Sequence, residues 1–178
     1  MSVWLRQVNK VSAFASDTLS CDILESFLTS NSTLSFYGFP SKVSFEENLN
    51  RAAVAFVSIK GKLGDFEYIS FDASEKELSD FGVNLIRTPG ETPDALINGF
   101  HMDFQFQSPS HMAAVVAHIA KIVDPGTINA GKIKPLLVAA VASGQLALDK
   151  LKLDNSVSLY REFLIEQRKN IHRGTLGD

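Results

Sequence analysis

The chain has 178 residues, of which 45% are hydrophobic and 21% charged, so it is long enough and apolar enough to bury a hydrophobic core. A formal net charge of −3 and a pI near 5.8 argue against general nucleic-acid binding, because that function normally requires a basic surface. The only cysteine, Cys21, excludes an internal disulfide, so the fold does not depend on an oxidising compartment.

Capping signals and alternating patterns predict short helices and strands in the first part of the chain. The segment 3–14 is compatible with either a strand or a short helix. A capping box, in which Asp or Ser is followed three residues later by Glu, predicts helices that begin at Asp22 and at Ser44. Between them, an alternating pattern over 33–39 predicts a strand.

The middle of the chain is expected to form a hairpin followed by a short helix. The helix after Ser44 should give way to a strand over 54–60, and a glycine-rich turn should lead into a return strand over 65–72. Ser74 and a glutamate three residues later form another capping box, which predicts a short helix that Gly82 ends.

The strand predicted over 100–107 has the clearest alternation in the chain. Four large apolar side chains share one face and polar side chains share the other: Phe100, Met102, Phe104 and Phe106 against His101, Asp103, Gln105 and Gln107. This pattern predicts a half-buried strand with one polar face. Weaker signals before it predict a strand over 83–87 and a short helix between Thr92 and Gly99.

Helical periodicity dominates the last third of the chain. Apolar residues recur at helical spacing from Met112 to Val123, which predicts an amphipathic helix. Two further helices are predicted, a very apolar one over 135–151 and a last one over 154–172. The tail 174–178 is expected to fray.

Strands that precede helices, rather than alternate with them, favour the α+β class over a doubly wound parallel sheet. We therefore predict a single α+β domain over 1–178. In it, a mainly antiparallel sheet from the strand-rich residues 1–107 packs with three longer C-terminal helices from the helical residues 108–173. No long linker or internal repeat indicates a second domain.

The N-terminal segment 1–16 lacks the uninterrupted apolar core of a signal peptide. The longest purely apolar run, 136–142, is too short to span a bilayer. These features predict a cytoplasmic protein that does not enter a membrane.

Charge is distributed unevenly along the chain. Between Leu63 and Asp94 there are eight acidic and two basic residues, so this block has a net charge of −6 and the rest of the chain +3. Some of the acids are explained by helix capping, yet capping does not require six uncompensated charges. An acidic surface of this kind favours electrostatic docking of a basic protein partner. The residues expected to make that surface are Asp65, Glu67, Asp72, Glu75 and Asp80.

The leading hypothesis is a non-enzymatic protein-binding domain. A small, acidic protein without a catalytic signature has the general profile of proteins that neutralise a nuclease-like toxin, so an inhibitor or immunity-type role is predicted. We expect no catalytic residues, no cofactor and no metal site under this hypothesis. An enzymatic role stays open, because other residues of the chain could form a metal site.

Two alternatives arise from other residues. His101 and Asp103 share a strand face, and His118 lies on the following helix, so these three could ligate a metal in a small metal-assisted hydrolase. Their spacing matches no established metal motif. The helix predicted over 135–151 is apolar nearly all round, which would also suit a self-associating structural module that forms homo-oligomers.

The segment 126–132 has the glycine and lysine spacing of a phosphate-binding loop. That loop needs a Ser or Thr after the lysine to hold magnesium, and Ile133 occupies this position. We therefore predict a plain loop between two helices here.

Overall fold

The computed structural model describes residues 1–8, 32–40, 44–60, 62–147 and 150–152. The contacts divide the chain into two compact units. The first unit takes the described residues of Met1–Leu49, Glu67–Gly90 and Leu96–Thr127, and the second takes those of Asn50–Phe66, Glu91–Ala95 and Ile128–Asp178. A single domain over 1–178 stays a prediction.

The described residues form six strands and five helices. In chain order these are β1 (Ser2–Gln7), β2 (Thr33–Phe39), α1 (Phe45–Ser58), β3 (Phe66–Ala73), α2 (Glu75–Asp80), β4 (Asn84–Arg87), α3 (Ala95–Asn98), β5 (His101–Gln105), α4 (Pro109–Ile119), β6 (Asp124–Ile128) and α5 (Ala130–Ala142).

The strands form one sheet in the order β4-β5-β2-β1-β3-β6. The pairings of β1 with β2, β1 with β3, β2 with β5 and β4 with β5 are all antiparallel. The predicted α+β class with an antiparallel sheet is therefore confirmed.

Alternation along the central strands sorts their side chains onto two faces of the sheet. Register places Trp4 of β1 beside Phe71 of β3, and Leu34 of β2 beside Phe104 of β5, so these large apolar side chains share one face. We call this the core face. Helix α4 packs against it through one apolar stripe, which consists of Met112, Val115, Val116 and Ile119.

The core face is close-packed around Trp4. The indole Nε1 donates a hydrogen bond to the Ala73 carbonyl oxygen at 3.0 Å, so the one polar atom of the ring is satisfied where it is buried. A Cβ added at Gly38 would lie 2.7 Å from the indole ring, so only glycine leaves room for it. Phe36 and Phe104 stack with their centroids 4.3 Å apart on the same face.

The predicted capping signals are confirmed at α2. Ser74 accepts a hydrogen bond from the Glu77 amide while the Glu77 carboxylate accepts one from the Ser74 amide. Gly82, just beyond this helix, has a φ of 78°, which a glycine adopts without strain. Two caps were not anticipated: Ser108 caps α4 and Asn129 caps α5.

The strand predicted over 54–60 is wrong, because α1 continues without a break from Phe45 to Ser58. Residues 52–55 and 57–58 are all buried, so the helix is apolar around most of its circumference here. A short run that is buried on every side has no period to distinguish a strand from a helix, and β-branched Val54 and Val57 favoured the strand. The hairpin that depended on this strand is absent from the described residues.

The longer helices are not gathered at the C-terminal end as predicted. One of the three with more than ten residues in the described chain is α1, in the first third. Strand β6 follows α4, in a segment that was expected only to end a helix. Helix α5 begins at Ala130 and ends at Ala142, whereas the prediction ran over 135–151. The helices predicted at 22–29 and 154–172, and the tail at 174–178, lie outside the described residues.

Candidate functional site

The five carboxylates expected to form one docking surface occupy different settings. Asp65 lies in the second unit, where its Oδ1 accepts a hydrogen bond from the Ala130 amide at 2.8 Å at the start of α5. Glu67 and Asp72 are five positions apart on β3, so their side chains point to opposite faces of the sheet. Glu75 and Asp80 are exposed on α2.

Helix α2 and the end of β3 therefore bring together part of the expected set: Asp72, Glu75 and Asp80. Asp80 forms an exposed ion pair with Lys76 at 2.7 Å, which leaves its carboxylate accessible and contributes little to stability. Hydrogen bonds from the backbone and side chain of Ser74 lower the pKa of Glu77, so this carboxylate is charged but engaged in the cap.

Asp94, which belongs to the acidic block of the sequence, is not a surface charge. Its carboxylate is fully buried and accepts two hydrogen bonds from the Arg51 guanidinium. One comes from Nη2 at 2.9 Å and the other comes from Nε. Gln145 Nε2 donates a third, at 2.8 Å. This cluster of the second unit neutralises Asp94, so its role is structural.

The structure places Asp72 in a cleft that the sequence did not predict. The cleft has a volume of about 230 Å³ and is lined by Val3, Phe45, Ser70, Phe71, Asp72 and Asp124. Drug-sized ligands and cofactors occupy pockets of about 300–1,000 Å³, so this cleft suits a smaller group.

Three strands and a helix start position the cleft. On β3, residues of even number share the sheet face opposite the core face, so Ser70 and Asp72 point the same way. Register sets Asp72 opposite Val3 of β1. β6 pairs with β3 in the sheet, and the Ser70 hydroxyl lies 3.4 Å from the Asp124 carbonyl oxygen. Phe45 is the first residue of α1.

The negative charge of Asp124 extends along this face of β3. Burial, and then the charge of Asp124, raise the pKa of Tyr68, so its phenol stays neutral well above neutral pH. The Tyr68 ring packs directly on Gly126, where an added Cβ would overlap the ring. The cleft itself contains two carboxylates, those of Asp72 and Asp124.

A second polar cluster lies at the other end of the sheet, around His101 and Asp103. The Thr88 hydroxyl donates to Asp103 Oδ2 at 3.0 Å and lies 2.8 Å from His101 Nδ1. A hydroxyl has one proton, so His101 must donate from Nδ1 to Thr88. The Ser35 hydroxyl donates to the other Asp103 oxygen at 2.7 Å. Pattern analysis had found the histidine and the aspartate, but not the two hydroxyls that join and orient them.

His118 is not brought to this cluster. It lies on α4, which packs on the core face, whereas His101 and Asp103 point to the opposite face. Its ring contacts Phe81, with centroids 4.4 Å apart. Within the part of the chain that the structure describes, no group of three or more His, Cys, Asp or Glu side chains could hold a metal ion.

Arg6 is a further polar residue that sequence reasoning missed. β1 pairs with β2 only as far as Leu5, and beyond that point the guanidinium donates to the Ser35 carbonyl oxygen at 2.7 Å. Its Cζ lies 5.6 Å from the Phe36 ring centroid. Burial lowers the pKa of Arg6 to about 10 and the charge of Asp103 opposes this shift, so the guanidinium stays protonated at neutral pH.

The segment with phosphate-loop spacing has no loop in which to hold a phosphate. Gly126 lies in β6, whereas Gly131 and Lys132 lie in the first turn of α5, so a single residue, Asn129, joins the strand to the helix. The side chain of Asn129 accepts from the Lys132 amide at 2.9 Å, a donor that a phosphate would need. The connection joins a strand to a helix, whereas the prediction was a loop between two helices.

Helix α5, which prompted the self-association alternative, buries one stripe: Ile133, Leu137, Ala140 and Val141. Lys132 and Lys134 are exposed on other parts of its surface. The helix is thus amphipathic within its own unit, and it does not present an apolar surface all round.

Comparisons of the chain with protein-family models, with curated proteins and with solved structures find no match. None of the helices in the described ranges is long and apolar enough to cross a membrane.

Proposed function

We propose that this protein is a non-enzymatic binding domain that docks a basic protein partner through carboxylates at one end of the sheet. The observation that supports it is the placement of Asp72, Glu75 and Asp80 within nine consecutive residues where β3 passes into α2. Glu75 and Asp80 are exposed, and Asp72 lines the cleft.

This surface is smaller than the one expected from sequence. Asp65 lies in the other unit, and Glu67 lies near the opposite end of β3, roughly 17 Å from Asp72 at the rise of an extended strand. We therefore restrict the docking surface to three of the five carboxylates. Exposed carboxylates of this kind act mainly on the association rate, because they steer an oppositely charged partner before contact.

Occlusion of the partner's active site would make the protein an inhibitor or immunity-type protein. A cationic active-site cleft, such as that of a nuclease, offers the charge that the docking surface complements. A cytoplasmic location is part of the same proposal.

The test compares capture from native lysate by three immobilised proteins. They are the wild type, Glu75→Lys with Asp80→Lys, and a control, Glu91→Lys, which reverses the charge of an exposed acid in the second unit. The wild type and the control should retain one stoichiometric basic protein that elutes with salt, and the α2 variant should not.

Kinetics with the captured protein then test the mechanism. The α2 variant should associate about tenfold or more slowly at low salt, with the difference shrinking at high salt, as expected of steering. Equal association by the wild type and the α2 variant at low salt would contradict the proposal. Loss of the partner's activity on binding would support the inhibitory role.

A further inference from the structure

The cleft lined by Asp72 and Asp124 has properties that the docking proposal does not use. It combines two carboxylates with the apolar side chains of Val3 and Phe45, and its volume is about 230 Å³. A water molecule takes about 30 Å³, so the cleft could hold a group of several heavy atoms but not a cofactor or a drug-sized ligand.

The charge of the cleft determines which sign of charge a bound group can carry. Asp72 and Asp124 belong to strands that lie side by side at one edge of the sheet, and lysines and arginines are absent from the residues that line the cleft. Burial, and then the charge of Asp124, raise the pKa of Tyr68 in the same region. A cation is therefore favoured there, and an anion is repelled.

The apolar lining adds a second requirement. Lysine and arginine side chains place an aliphatic stem against apolar surface and a charged head against polar groups. Val3 and Phe45 offer the first kind of surface, and the two carboxylates offer the second. The Phe45 ring can also contact a guanidinium or ammonium group by a cation–π interaction.

The cleft has a rigid polar anchor. Ser70 is only 6% exposed, and its hydroxyl is held by the Asp124 carbonyl oxygen while its oxygen atom can still accept a hydrogen bond. Ser70 and Asp72 lie on a strand that has paired neighbours on both sides. Pre-organised groups of this kind lose little entropy when a ligand binds.

We infer that this cleft is a recognition pocket for the side chain of one lysine or arginine of the basic partner. The inference rests on the proposed function, because it takes the docking surface as given and names what the partner inserts. The α2 carboxylates then govern the rate of encounter, and the cleft governs how long the complex lasts.

The test uses small probes on the full chain, so it does not depend on identifying the partner. Butylammonium and butylguanidinium represent lysine and arginine, while butanol and butyrate represent the stem alone and the opposite charge. In amide NMR titrations the cations should give saturable shifts at Val3, Ser70 and Asp72, with a dissociation constant on the order of 1–10 mM. Whichever cation binds more tightly identifies the side chain.

Variants then assign the binding to the cleft. Asp124→Asn should weaken binding of the preferred cation about two- to fivefold, the range of a partly exposed charge pair. Glu91→Gln, at an exposed acid outside both the cleft and the docking surface, removes the same charge and should leave the probe affinity unchanged. Asp124 is exposed, so its variant should fold, and a wild-type-like amide spectrum checks this.

The outcomes separate the two proposals. If the cations bind and Asp124→Asn weakens that binding, the pocket is supported, whatever the lysate experiment shows. Absence of saturable shifts, or equal shifts with butanol, would overturn the pocket while leaving docking by α2 intact. With the captured partner, Asp124→Asn should raise the dissociation rate about two- to fivefold, and an unchanged rate would also overturn it.

Discussion

Replacement of Arg51 by methionine should destabilise the protein by about 3 kcal/mol. The carboxylate of Asp94 is completely buried, while the Arg51 side chain is 28% exposed, so the pair is only partly shielded from water. Loss of the guanidinium removes two charge-assisted hydrogen bonds from the buried carboxylate, while the hydrogen bond from Gln145 stays. Removing one partner of a buried pair costs about 3–5 kcal/mol, and the partial exposure of Arg51 favours the lower end.

Methionine is chosen because it keeps most of the aliphatic stem and its packing. Asp94→Leu should also destabilise the protein. Leucine adds no buried charge, but it leaves the Arg51 guanidinium without the carboxylate that accepts its hydrogen bonds. The double variant should cost less than the sum of the two single ones, because it removes both charges together. The expected coupling is about 1–3 kcal/mol.

Urea unfolding of the four proteins in this cycle measures these quantities, with equal m-values as the check that the unfolded states are comparable. A cost below about 1 kcal/mol for Arg51→Met, or strict additivity in the double variant, would refute the reasoning. It would mean that Asp94 is solvated like a surface acid. The result thus decides whether this residue belongs to the structural core or to the acidic surface that the sequence suggested.

Three further changes test local features of the first unit. Gly126→Ala should cost about 1–3 kcal/mol, because the new methyl group overlaps a tyrosine ring, whereas Gly64→Ala, which meets no atom within 4 Å, should be nearly neutral in thermal unfolding. Because the folded pKa of Glu77 lies below its unfolded value, its contribution to stability is present above the unfolded pKa and is lost as pH falls through the folded one. Glu77→Gln should abolish that acid-range loss in urea titrations at successive pH values, and an unchanged pH profile would contradict the capping role. Thr88→Val should cost about 1–3 kcal/mol in urea unfolding, because it removes the hydroxyl between His101 and Asp103, while the Nδ1 proton should stay, since the Thr88 carbonyl oxygen lies 3.3 Å from that nitrogen.

The features that sequence analysis predicted well are those that depend on neighbours along the chain. The Ser74–Glu77 capping box is a pair of hydrogen bonds across three residues, so its pattern is visible in the sequence. The alternation around Phe104 reports that one side of a strand is buried, whatever it is buried against. In both cases the physical cause lies within one turn or one strand.

The errors arose where burial overrides local preference. Val54 and Val57 favour strands by themselves, yet they extend α1 because the surrounding alanines allow a helix to be buried on most sides. Strand β6 begins with Asp124-Pro125-Gly126, which reads as a turn. It forms a strand because it pairs with β3. It lies at the edge of the sheet, where a proline is tolerated.

The excess of acid between Leu63 and Asp94 and most of the local elements follow from the order of the amino acids alone. Which of those acids lie near one another depends on the fold. Asp72 meets Asp124 from 52 positions away, while its sequence neighbour Glu67 points to the other face of the sheet. Thr88 likewise joins His101 to Asp103 only because β4 pairs with β5. Strand order and register set these encounters, and they depend on long-range packing that no local pattern encodes.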